Sequence, residues 1–384
     1  MSNATRLAAV VVIAGCAACS PAPQAAPDAG RHLVLAEQGY FFVGGRYTAS
    51  KDGQIRVGQM YVQYQIPENR TQSYPVVMWH GGGQTGTNFM GTPDGRHGWG
   101  DYFLQRGYAV YIVDQPGRAR SGYFTDVYGP TRRPSTGAVQ SRFTAPEKVN
   151  QYPQATLHTQ WPGGGIAGDE AFDQFFASQV EDMVDLAAME RLNRDAGVAL
   201  LEKIGPSILL THSQSGPFGW VLADARPALV KGILAIEPNG PPFYENTVVG
   251  APDWFKDGPM GRTWGITRNA LTFFPAVNDP DNLRATQQAT PMGPDLVRCW
   301  LPASPAPQLP NLKSTRILIV VSEASYHAPY DHCTSQFLKE AGVANDFVRL
   351  ADLNIHGNGH MMMLEKNNLE IAAFLDRWAG QHIK

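Results

Sequence analysis

The chain has 384 residues and a formal charge of −3, from 31 Lys and Arg against 34 Asp and Glu. It holds no basic run, so nucleic-acid binding has no support. It also lacks the repeats of a structural or adhesive protein. With 39 Gly, 29 Pro and 10% aromatic residues, the composition suits a loop-rich fold of one large domain or two smaller ones.

At the N-terminus, Arg6 precedes an apolar run from Leu7 to Gly15 that is too short to span a bilayer. Residues 1–15 therefore read as an export signal. Ile13, Ala14, Gly15 and Cys16 resemble a bacterial lipobox, which implies cleavage before Cys16 and a lipid attached to it. The alternative is an ordinary secretory cut near Ala18 or Ala22. Residues 16–35, rich in Pro and Ala, read as a flexible tether. No later stretch is apolar enough to cross a membrane, so membrane contact is expected through the lipid alone. Cys16 and Cys19 belong to the processed region. Cys299 and Cys333 remain, and an exported protein can oxidise them to a disulfide.

Residues 36–384 are expected to form the folded domain. Gly39 to Pro67 reads as a β-meander split at Lys51, Asp52 and Gly53. Pro75–His80 is a solid apolar run, the mark of a strand covered on both faces, and it ends in Gly81, Gly82 and Gly83. A helix over Gly98–Gly107 and a strand over Tyr108–Asp114 follow. From 123 to 168 no periodicity holds, and the segment reads as an insertion covering a site. The spacing predicts one strong helix over Asp169–Asn193. After it come a strand at Ile208–Leu210, a helix from Gln214 to Ala225 and a strand at Lys231–Glu237. Residues 240–312 form a second irregular insertion, whose Phe243, Tyr244, Trp254, Phe255, Trp264, Phe273 and Phe274 suggest an aromatic pocket lining. Strands at Arg316–Val321 and Asp346–Leu350, a helix at Tyr330–Ala341 and a closing helix at Asn367–Ala379 complete the chain.

Strands that alternate with helices argue for an α/β fold: a mostly parallel sheet with helices on both faces and inserted lid segments. Such sheets bind ligands at the carboxyl ends of their strands. His80–Gly83, Ser213, Glu237 and the His356–His360 loop all fall at such ends.

Ser213 is the candidate nucleophile. Thr211 and Ser215 flank it at two residues on each side, small enough for a sharp strand-to-helix turn. A serine hydroxyl needs a base, and the base needs an orienting acid. His360 is the chosen base and His356 the reserve. His212 should point into the fold. The two histidines of the 356–360 loop do not read as a metal pair, because Gly357 and Gly359 argue against the helix such a pair needs. No cofactor or metal is expected. For the acid, Glu237, Glu323 and Asp331 all stand at suitable strand ends.

HGGG at 80–83, DQPGRARSG at 114–122, THSQSG at 211–216 and a late Gly359-His360 resemble the α/β-hydrolase fold over everything after the tether. FFVGGRY, HGGGQTG, TPDGRHGW, HSQSGPFGW, IEPNGPP and GHMMMLEKNN are similar, more narrowly, to a small group of bacterial secreted esterases. In that group the acid is a glutamate after the sixth strand. The resemblance implies a triad of Ser213, His360 and Glu237, an oxyanion hole from the N–H groups of Gln214 and Gly82 with Gly83, and a small-molecule ester as substrate. An amidase, a lactonase, a carbon–carbon hydrolase or a surface-anchored binding protein are the alternatives.

Overall fold

The computed structural model describes Met1 and residues 32–384. The expected signal, Cys16 and nearly all of the tether lie outside the described residues. The chain enters through a long antiparallel hairpin, β1 (Leu35–Ser50) and β2 (Gly53–Pro67), closed at Lys51–Asp52. Six strands follow: β3 (Val76–Trp79), β4 (Val110–Asp114), β5 (Ser207–His212), β6 (Val230–Ile236), β7 (Arg316–Val321) and β8 (Asp346–Arg349). They build one eight-stranded sheet in the order β1-β2-β4-β3-β5-β6-β7-β8. Every pairing beyond β2–β4 is parallel.

The apolar runs explain this arrangement. Alternate residues of a strand face opposite sides of a sheet. Val77, Trp79, Leu209, Ile233, Ala235, Ile317 and Ile319 join the core on one face. Val76, Met78, Ile208, Leu210, Leu234, Ile236, Leu318 and Val320 join the core on the other. Helices cover both. On the Trp99 face lie α1 (Trp99–Gln105) and the closing helix α6 (Asn368–His382). On the Trp79 face lie α3 (Leu186–Ile204), α4 (Gly216–Ala225) and α5 (Asp331–Glu340). Full burial of each large aliphatic side chain stabilises by roughly 1.5–3 kcal/mol, so the two-sided burial is what holds the central strands in register.

One expected element divides. The helix predicted over Asp169–Asn193 is two helices, α2 (Glu170–Ala177) and α3, and the second runs on to Ile204. Asp169 and Asp185 are the reason. Each side chain accepts the N–H three residues on, at Phe172 and Ala188, and so starts its own helix. The eight residues between include Asp182, which faces a buried arginine at the site described below.

The expected insertions carry structure of their own. Residues 123–168 hold short helical turns, among them Thr136–Val139 and Pro146–Val149. Residues 240–312 hold two small hairpins, Tyr244–Gly250 with Trp254–Met260 and Ala285–Gln287 with Trp300–Pro302. Cys299 is bonded to Cys333, which ties the second insertion to α5 across 34 positions. Closing a loop of that length stabilises by about 4 kcal/mol in the chain-entropy account. Among the described residues, no helix is long and apolar enough to cross a membrane.

Candidate active site

The turn after β5 places Ser213. Its φ is +53°, left-handed for a residue with a side chain, a conformation that costs about 1–3 kcal/mol and needs a surrounding clamp. Ser215 supplies one. Its hydroxyl accepts the His212 N–H at 2.8 Å and lies 2.9 Å from the carbonyls of Trp79 and His212. Ser215 therefore ties the turn to β3. Gly216 is needed for a different reason. A Cβ on it would sit 2.5 Å from the Cβ of Pro238. That close approach brings the end of β6 against the start of α4. His212 pairs with Ile236 in the β5–β6 register, so Ser213 and Glu237 leave the sheet side by side. Glu237 also has a positive φ, +45°.

The loop after β8 returns His360 over this edge. Its Nδ1 lies 2.6 Å from Glu237 Oε2, and both side chains are fully buried. Glu237 accepts further hydrogen bonds from the hydroxyls of Ser322 and Ser325 and from the Ser322 N–H at 2.9 Å. His212 is also buried. Its Nε2 meets the carbonyl of His360 at 3.0 Å, so it steadies the main chain there. Phe143, from the first insertion, stacks on the His360 ring at 5.3 Å.

The three candidate acids serve three different histidines. Glu237 meets His360. Glu323 meets the exposed His356 at 3.0 Å and accepts the Gly357 N–H. Asp331 meets the buried His327 at 2.9 Å. The reserve base, His356, is exposed and paired with Glu323.

Burial holds the His360 imidazole well below its ordinary 6.5, and His327 and Arg142 push it further the same way. Burial likewise brings His327 down to about 4. It pushes the Asp331 carboxyl well up, and the Glu237 charge adds to this. Burial also raises Glu237, against the pull of His327 and of its serine donors. The consequence is a neutral imidazole, the form that can take a proton.

Gly82, Gly83 and Gln214 line the same cleft as Ser213. Behind them lies Arg118, fully buried. Its guanidinium donates to the Gly81 carbonyl at 3.0 Å and to Gln214 Oε1 at 3.1 Å, and it faces Asp182 at 3.4 Å. Gln214 Nε2 donates in turn to Asp182 at 2.9 Å. Burial lowers Arg118 to about 10 against the opposing charge of Asp182. This buried network fixes the glycine loop against the turn that carries the serine.

Tyr326 is a site residue that the sequence did not reveal. Its side chain is half-buried and lines the same cleft as Ser213, and its hydroxyl lies 3.4 Å from His360 Nε2. It follows β7 in a loop with no motif around it, so only its fold neighbours mark it. Glu365 is another. It is fully buried, accepts the Gly359 N–H and Asn358, and meets His158 at 2.8 Å. It pins the loop just before His360.

The cleft has a volume of about 900 Å³. Both insertions contribute to its wall, the first through residues such as Arg142 and Phe143 and the second through Glu245 to Gly250. The expected aromatic lining is not what the structure shows. Phe243 and Phe273 are buried in the core, Tyr244 and Trp264 pack against it, and Phe274 is exposed. None of the seven singled out in that segment lines the cleft, whose aromatics are Phe143, Tyr152, Tyr326 and Tyr330. The insertion needs apolar contact with the core on that face of the sheet to stay folded, and four of its seven rings are used there.

Donor atoms of Glu237, His327 and His360 lie within 4.8 Å of one another, as do those of Cys299, His332 and Cys333. In the first group the carboxylate already has its hydrogen-bond donors and His327 Nδ1 is committed to Asp331. In the second the two sulfurs are bonded to each other.

The model of the alpha/beta hydrolase family matches residues 76–374, and the chain belongs to that family. A protein of Fungal sp. (strain ATCC 74256), named a probable secreted lipase phiG, is 42% identical over 355 residues, covering 91% of this chain and 90% of that one. A solved structure described as a novel bacterial esterase superposes with a TM-score of 0.58 at 24% identity, over 92% of this chain and 98% of the other. At that identity the likeness speaks for the shared fold.

Proposed function

We propose that the protein is a serine hydrolase that cleaves carboxylic esters through an acyl-enzyme. The observation that carries the reading is the buried Glu237–His360 pair at 2.6 Å, on the edge where Ser213 emerges in a left-handed turn. A histidine held neutral by burial and oriented through Nδ1 by a carboxylate is the arrangement a serine base requires. The name of the lipase that the chain resembles supports an ester as the substrate.

In this reading His360 Nε2 takes the proton of Ser213 as its oxygen attacks the ester carbonyl. Glu237 stabilises the imidazolium that forms. The N–H groups of Gln214 and Gly82, with Gly83, hold the oxyanion, a contribution of about 3–4 kcal/mol per donor. The proton then passes to the departing alkoxide, and the alcohol leaves. Water, deprotonated by the same histidine, attacks the acyl-serine and releases the acid. The insertions at 123–168 and 240–312 act as the lid. The secreted relative and the N-terminal pattern support export, and the lipid anchor at Cys16 belongs to the same proposal.

The test is a fluorophosphonate probe together with a panel of aryl esters, amides and lactones. Labelling at Ser213, lost in Ser213→Ala along with ester turnover while the fold is retained, is the expected result. A labelled Ser213→Ala variant, or one with most of its turnover intact, excludes this serine. Preferred turnover of the amides or lactones would move the substrate class.

A further inference from the structure

The whole chain is slightly acidic, at −3, yet the wall of the cleft is cationic. Arg132, Arg133, Arg142 and Arg268 line it, and Arg118 and Arg262 are buried behind them. Among the described residues these six meet three carboxylates. Asp182 is shared by Arg118 and Arg132. Glu245 is shared by Arg262 and Arg268. Glu181 holds Arg133. Arg142 has no carboxylate partner. Two more acids stand close behind: Glu190, held by the N–H groups of Arg268 and Asn269, and Glu237, held by His360 and two serines. Neither forms an ion pair with a wall arginine.

A protein does not gather like charges around a cavity without cost. The arginines raise one another's energy: repulsion from Arg262 and Arg132 joins burial in lowering Arg268. An anion entering the cleft relieves that repulsion. Arg142 is placed to meet it. Its guanidinium lies over the Tyr326 ring at 5.7 Å, and the hydroxyl of that ring lies 3.4 Å from His360 Nε2. The unpaired cation is therefore one tyrosine ring away from the histidine of the proposed triad, in the cleft that Ser213 also lines. A planar guanidinium with free donors is the group that matches a carboxylate.

We propose that the ester taken by this cleft carries a carboxylate of its own, bound by Arg142 beside Tyr326, so that the substrate is a half-ester or carboxy-ester and not a neutral lipid. This rests on the reading of Ser213 as the nucleophile of an esterase. It concerns the charge of the substrate and not the chemistry of its cleavage.

The experiment compares matched p-nitrophenyl esters, a neutral pentanoate and the mono-ester of glutaric acid, with a carboxyphenyl acetate against phenyl acetate to ask whether the carboxylate sits on the acyl or the alcohol side. The expected result is a kcat/KM about tenfold higher for at least one anionic member over its neutral counterpart. Arg142→Gln should bring that ratio close to one, and high salt should shrink it. Binding of the glutarate mono-ester and of the pentanoate to Ser213→Ala reads the same preference without turnover, and adding Arg142→Gln should remove it there too. Equal or better turnover and binding of the neutral esters overturns the inference and leaves the esterase reading standing. Tight Arg142-dependent binding of the anion with no turnover of any ester would instead sink the esterase reading.

Discussion

Glu237 and His360 stand 123 positions apart in the chain and 2.6 Å apart in space. Ser322, from the end of β7, joins them, since its hydroxyl reaches both the Glu237 carboxylate and the Gly359 carbonyl at 2.8 Å. The pair is thus held from three strand ends and has no room to re-form elsewhere.

Glu237→Gln should therefore lower kcat by about 10³–10⁴-fold, since an amide can neither fix the imidazole tautomer nor stabilise its cation. Glu323→Gln should leave kcat close to wild type, because that carboxylate serves the exposed His356. Asp331→Asn should do the same, because that carboxyl serves His327 and burial disfavours its charge, so an amide is a close replacement. Steady-state kinetics on one aryl ester ranks the three, and a larger loss at Asp331 than at Glu237 reverses the assignment.

The pH profile follows from the depressed imidazole. A base with a lowered pKa stays deprotonated at pH values where an ordinary histidine is charged. The acid limb of kcat/KM should therefore lie below 6.5, the value of a free imidazole. Arg142→Gln removes one of the charges that push His360 down, so the limb should move toward higher pH. A wild-type limb above pH 6.5 contradicts this.

Arg118 sits where a lost charge affects two things. Arg118→Met removes the buried charge that faces Asp182 and the donor to Gln214 Oε1, and breaking a buried pair in this way costs roughly 3–5 kcal/mol. It also frees the Gly81 carbonyl, so the loop bearing Gly82 loosens and kcat should fall by about 10²-fold or more with a smaller change in KM. Urea unfolding gives the first quantity and kinetics the second. Arg118→Lys should recover more stability than kcat, because an ammonium cannot span Gly81 and Gln214 at once.

His158 ties the first insertion to the loop before His360. It meets Glu147 at 3.0 Å and Glu365 at 2.8 Å. Burial opposes its charge, yet the two carboxylates win and raise it to about 9. A raised histidine contributes stability in full below 6.5, and the contribution is lost as pH climbs through about 9. The pH-dependent part is about 3 kcal/mol. The Tm gap between wild type and His158→Gln should thus be widest just below pH 6.5 and narrow as pH climbs to 9 and above. A gap independent of pH would mean that this histidine is neutral.

The alternation that the sequence shows, solid apolar runs of strand length between helical periods, was enough to place all eight strands and the helices that cover them. The failures were local and polar. One continuous apolar stripe over Asp169–Asn193 hid two aspartate caps, because a stripe reports which face is buried and not whether the backbone continues. Seven aromatics in the second insertion looked like a pocket. Four of them, Phe243, Tyr244, Trp264 and Phe273, pack the core instead, because apolar content does not say what a ring will be set against.

What the sequence alone determined is the sheet, the serine at its sharp turn and the short roll of histidines and acids at strand ends, since local periodicity and turn chemistry act over a few residues. What only the tertiary structure decided is which acid meets which histidine, that Tyr326 reaches His360, and that the cleft is walled by arginines. Those facts depend on distances between residues far apart in the chain, and side chains a hundred positions apart are brought within hydrogen-bond reach only by the packing of the whole sheet.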